Sequence, residues 1–144
     1  MTNDFRLTIG TGSGEIARVN AAFARFADAH RLPAPVRRTL HVALDELLTN
    51  TMLHGFAGRE DGGGSVTVEV ELHPDQVSVT LTDDGKPFDP FAVAAPDTAL
   101  PPEQRRIGGL GIHLVRGMMD EVRYQRQADR NVVFMSKRLT AGGK

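Results

Sequence analysis

Glu46 and Asn50 stand four residues apart in the run Leu44-Asp45-Glu46-Leu47-Leu48-Thr49-Asn50. At about 100° per residue, that spacing stacks an acid and an amide one turn apart on a helix. A carboxylate there can take a proton from a hydroxyl or a water, and an amide oxygen can ligate a hard cation. A surface acid beside a satisfied amide is the plainer reading of the pair. Two later stretches weigh against it. Asp83-Asp84-Gly85 closes an alternating run, and Gly108-Gly109-Leu110-Gly111 opens a helical one. An inward carboxylate can accept a hydrogen bond from an amine, and three glycines in four residues leave bare N–H groups for an anion. No lysine-threonine or lysine-serine pair follows them, so the stretch is not a P-loop. A tight turn is the alternative for these glycines.

The elements that must hold these residues follow from periodicity. Leu40, Ala43, Leu44 and Leu47 recur at three- and four-residue steps, one apolar stripe on a helix starting after Pro33 or Pro35 and fraying near His54-Gly55-Phe56. Glu46 and Asn50 fall at the edge of that stripe, and Asp45 on its far side. Before it, Phe5, Leu7 and Ile9 alternate as a strand, and Glu15 opens a helix to about His30, with Ser13 its expected cap. The glycines at 10, 12 and 14 lack the spacing of a dinucleotide-binding turn, because Glu15 holds the third position.

After a glycine- and charge-rich loop over 58–64, Val66, Val68, Val70 and Leu72 face one way, then Val77, Val79 and Leu81. The two runs predict an antiparallel hairpin with one wet face. Asp83 shares the parity of Leu81 and points inward, so it needs a donor. Asp84 points to solvent. From Pro87 to Arg106 periodicity is lost, and a connection this long reads as a lid or as a disordered excursion. A short helix from Ile112 to about Met119 follows. Glu121 to Arg126 and Val132 to Leu139 then make a second hairpin, joined at Ala128-Asp129-Arg130-Asn131. Strand, helix, helix, hairpin, lid, helix, hairpin predicts an α+β fold, a two-layer α/β sandwich with helices on one face of a mixed, mostly antiparallel sheet.

The 144 residues fit one domain, 1–144, with the lid at about 87–107. Without cysteines, disulfides, thiolate metal sites and cysteine nucleophiles are excluded, and a reducing cytoplasm is expected. A formal net charge of -1 draws the chain neither to nucleic acid nor to acidic lipid. No signal-peptide pattern or membrane-length apolar run is present. His41, His54 and His113 lack paired zinc spacing.

Together the three stretches describe a nucleotide site. Asp83 would take the exocyclic amine of a purine, the glycines the phosphates, Asn50 a Mg²⁺ ion and Glu46 a proton. Glu46-x-x-x-Asn50, Asp83-x-Gly85 followed by Phe88-Asp89-Pro90, and Gly108-Gly109-Leu110-Gly111 resemble the N, G1 and G2 boxes of the GHKL ATPases. Within that superfamily the chain is similar to bacterial anti-sigma factor serine/threonine kinases, over nearly its whole length. The resemblance implies a Bergerat-type fold and a site for ATP and Mg²⁺. It makes Glu46 the catalytic base, Asn50 the magnesium residue, Asp83 the adenine acceptor and Gly85 the glycine under the ring. Gly108, Gly109, Leu110 and Gly111 are the phosphate turn, and Arg105 or Arg106 a basic residue near the γ-phosphate. It implies a STAS-type antagonist as substrate, a sigma factor as second partner, and a homodimer. Two positions depart from the pattern. Lys86-Pro87 replaces a second glycine of the G1 box, which stiffens the start of the lid. Asn131 stands near the place where other members often carry a glycine-threonine pair that supports adenine through water.

Three other readings compete. A histidine-kinase catalytic domain needs a phospho-acceptor helical hairpin, and only one helix precedes the second. A gyrase- or mismatch-repair-type motor needs a transducer domain. A non-catalytic ATP-binding module would carry the same boxes, since Glu46 denotes capability rather than use.

Overall fold

The computed structural model describes residues 3–56, 64–92 and 107–140. Five strands, β1 (Asp4–Ile9), β2 (Val66–Leu72), β3 (Gln76–Asp83), β4 (Glu121–Gln127) and β5 (Arg130–Arg138), form one sheet in the order β1-β2-β3-β5-β4. All four pairings are antiparallel, so the mixed character expected of the sheet is absent among the described strands. Three helices, α1 (Glu15–His30), α2 (Ala34–Asn50) and α3 (Ile107–Met118), complete the second layer.

Side-chain alternation separates the faces of the sheet. Val66, Val68, Val70, Val77, Val79, Leu81, Val133 and Met135 are buried against the helices. Thr8 and Thr67 meet on the other face, hydroxyl to hydroxyl at 2.9 Å. From the helices come Val19, Phe23 and Phe26 of α1, Leu40, Leu44, Leu47 and Leu48 of α2, and Ile112 and Val115 of α3. Each such side chain contributes about 1.5–3 kcal/mol by leaving water.

Two local features differ from expectation. Gly14, with φ 89°, is the N-cap of α1, and no side chain caps that helix among the described residues, so Ser13 is not its cap. Glu15 turns back instead, and its Oε1 accepts the Gly10 N–H at 2.7 Å. The second hairpin turns on Ala128 and Asp129 alone, with φ 51° and 63°. Two consecutive positive φ values match the twist of the strands they join, as in the tightest hairpins. Asn131 therefore lies within β5 rather than in the turn, opposite Asp83 on one side and Arg126 on the other.

Candidate functional site

The stripe on α2 is buried as its periodicity predicts, and Glu46 and Asn50 lie at its edge, half-buried and buried respectively. Asp45 is exposed, and its Oδ1 accepts from Asn20 Nδ2 at 3.4 Å. Asn50 Nδ2 donates to Glu46 O, one turn back, at 2.9 Å. That bond fixes the amide and turns its carbonyl oxygen the other way. Beyond Asn50 the helix widens into a π turn, Thr51–Gly55. Such turns are rare in helices and concentrate at functional sites.

This π turn carries the chain to the second cluster. Asp83 is only 5% exposed at the end of β3, on the inner face that its parity predicts. Its Oδ1 accepts from Gly85 N at 2.8 Å and from Asn131 Nδ2 at 2.9 Å. The donors the buried carboxylate needs are thus a backbone N–H and a side-chain amide, and among the described residues Oδ2 is left as the oxygen to present to a ligand. Gly85 lies against Gly55: a Cβ on Gly85 would stand 2.5 Å from Gly55 O and 3.0 Å from Asp83 Oδ1. Lys86 N donates to the same Gly55 O at 2.9 Å. Gly55, which the sequence marks only as a fraying helix end, is thus part of the site. Its only local signal is a glycine following an otherwise regular helix.

Gly85→Ala is expected to destabilise the fold by about 1–3 kcal/mol, because backbone rather than a flexible side chain stands in the way. A thermal melt should fall by roughly 3–10 °C. An unchanged melt would mean that this approach is looser than its geometry says.

Gly108, Gly109, Leu110 and Gly111 lie inside α3, which begins at Ile107, five residues earlier than expected. The unbonded N–H groups at a helix start belong to its first four residues, positions 107–110, so Gly111 comes one place too late to share that role. What requires glycine at 111 is Glu46: a Cβ there would overlap Glu46 Oε1 and reach 2.5 Å from Glu46 Cδ. The acid of α2 is seated directly on the first turns of α3.

Residues 88–92, at the start of the expected lid, are firmly tied. Phe88 stacks on His54 with ring centroids 5.0 Å apart. Asp89 Oδ1 accepts from Phe91 N at 2.9 Å and starts the 3-10 turn Pro90–Ala92. Arg116 of α3 donates to Phe91 O at 3.1 Å. The expected lid over 93–106, with Arg105 and Arg106, lies outside the described residues.

Glu46 and Asn50 at one end, and Asp83, Gly85 and Gly55 at the other, are therefore joined by one continuous helical segment. Glu46 and Gly55 are nine residues apart, about 13 Å along a helix axis. The arrangement offers an inward acceptor at one end, and a proton acceptor beside a helix N-terminus at the other.

A family model described as histidine kinase-like ATPase domain matches residues 13–137. The chain is similar to the serine-protein kinase RsbW of Listeria monocytogenes, 36% identical over 88 residues, which are 58% of this chain and 55% of that protein. It is similar also to the serine-protein kinase RsbW of Bacillus subtilis, 32% identical over 92 residues, 60% of this chain and 55% of that protein. The chain spans about half the length of the curated relatives it matches. Its fold is shared with a solved chain holding the RsbU and RsbW domains of Rv1364c from Mycobacterium tuberculosis, at a TM-score of 0.68 and 16% identity, covering 95% of this chain and 32% of that one.

Proposed function

We propose, from the premise that this chain belongs to the histidine kinase-like ATPase family, that it is an ATP-dependent protein serine/threonine kinase. Residues 1–144 act as one ATPase domain in this reading. The observation that carries it is the seating of Glu46 against Gly111, at the far end of the helical segment whose Gly55 meets Gly85 and Asp83. Gly55, beside the adenine acceptor, and Glu46, beside the start of α3, are carried by the same helical segment.

Asp83 Oδ2 would accept the adenine amine, with Gly85 beneath the ring. The N–H groups at the start of α3, around Gly108, Gly109 and Leu110, would face the phosphates, and Arg106 would approach them from the lid. An amide oxygen suits Mg²⁺, which favours oxygen ligands, so Asn50 would hold that ion; when bound it neutralises phosphate charge. Glu46 takes the proton from the attacking hydroxyl as its oxygen bonds to the γ-phosphorus. The bond from that phosphorus to the bridging oxygen breaks, and ADP leaves. Gly111 keeps Glu46 close to the helix start without a side chain between them.

The two RsbW relatives are serine-protein kinases by name. This chain, by the same reading, phosphorylates a serine or threonine of a STAS-type anti-sigma antagonist and sequesters a sigma factor, as a homodimer in the cytoplasm. Among the described residues no helix is long and apolar enough to cross a membrane.

Incubation with labelled ATP and the STAS protein that co-purifies with the chain is the test. Label on a serine or threonine of that partner is expected. A partner that binds but stays unlabelled would leave the chain a non-catalytic binding module.

A further inference from the structure

Asn131 is 2% exposed, and its side chain joins five groups. Nδ2 donates to Asp83 Oδ1 at 2.9 Å and to Lys86 O at 2.8 Å. Oδ1 accepts from Tyr124 Oη at 2.5 Å, and from Phe88 N and Arg126 Nη1, each at 3.2 Å. The partners dictate the orientation of the amide. Reversed, its oxygen would face two acceptors and its nitrogen three donors. Arg126 Nη1 also donates to Gly85 O at 2.8 Å. Asn131 thus stands between the carboxylate of β3 and the first residues of the lid.

We infer that Asn131 is a positioning residue for base recognition, holding Asp83 so that its second oxygen meets the exocyclic amine of the purine. The inference rests on the ATP reading above and names the part of that site which sets its selectivity. A terminal carboxylate turns readily about its last torsion. With Oδ1 gripped by Gly85 N and Asn131 Nδ2, its plane is set before a ligand arrives. An acceptor fixed in advance gives up little freedom when the amine docks, so the amine's contribution to binding is retained in full. The bond from Asn131 Nδ2 to Lys86 O and the one from Phe88 N to Asn131 Oδ1 place the lid root in the same network.

The test compares ATP with purine riboside triphosphate, which carries hydrogen in place of the adenine amine. In the unaltered protein ATP should bind at least about tenfold more tightly, as expected for a hydrogen bond to a charged group. In Asn131→Ala that ratio should fall below about threefold. A structural role alone would weaken both nucleotides alike and leave the ratio as it was, and that result overturns the inference. If Asn131→Ala does not fold by circular dichroism, Tyr124→Phe serves instead. It removes the shortest contact to Asn131 Oδ1, and the ratio should fall in the same direction by about threefold. An unchanged ratio there overturns the inference equally. An unaltered protein that binds neither nucleotide, or both equally, would instead refute the ATP reading itself.

Discussion

Glu46→Gln is expected to slow phosphoryl transfer by about 100- to 10,000-fold while leaving ATP affinity within about threefold. Glutamine has the size of glutamate, so its seat against Gly111 is kept and α2 and α3 pack as before. What it loses is the basic carboxylate that takes the proton of the attacking hydroxyl, since an amide oxygen accepts hydrogen bonds but is not a base. A loss confined to turnover is the signature of a group that acts in the transition state rather than in binding. Transfer would be followed with labelled ATP and binding by calorimetry. Undiminished transfer in this variant would dismiss Glu46 as the base.

Asp83→Asn is expected to weaken ATP binding by about 10- to 150-fold, the range of a hydrogen bond to a charged group. The fold should tolerate the change. The asparagine oxygen can keep the bonds from Gly85 N and Asn131 Nδ2 that Oδ1 now accepts. Its nitrogen then stands where Oδ2 was and presents a donor to an incoming amine, which is itself a donor. Because the protein's own bonds are preserved, the thermal melt without nucleotide should barely move while the dissociation constant rises. Unaltered affinity would remove Asp83 from the site. A collapsed melt would show that the carboxylate's charge supports the fold itself.

Sequence and structure agree on Asp83 and on the pair Glu46 and Asn50, where one element's own periodicity carries the information. Asp84, expected to face solvent, is instead half-buried and accepts from Ser65 N at 3.0 Å. The inward turn of Asp83 follows from counting in twos along Val77, Val79 and Leu81, and the stacking of Glu46 over Asn50 from counting in fours. Burial bears out the first and the Asn50 Nδ2 bond to Glu46 O the second, since each count depends only on backbone geometry within a single strand or helix. The start of α3 at Ile107 is not legible in the sequence. Three glycines in four residues are poor helix formers, and contacts with α2 outweigh that local preference.

Asn131 is the clearest case of the opposite kind. Ala128 and Asp129 are not the residues that mark a two-residue hairpin, so the sequence predicts a longer turn that includes Asn131. With both φ values positive, β5 gains Arg130 and Asn131, and pairing sets Asn131 beside Asp83, 48 positions earlier in the chain. The approach of Gly85 to Gly55 and the seating of Glu46 on Gly111 likewise join separate elements. The chain's own pattern decided which residues turn inward, because that depends on neighbours a few positions away. Only the assembled sheet and helices decided which of them touch, because register and close approach are settled by packing between segments remote in sequence.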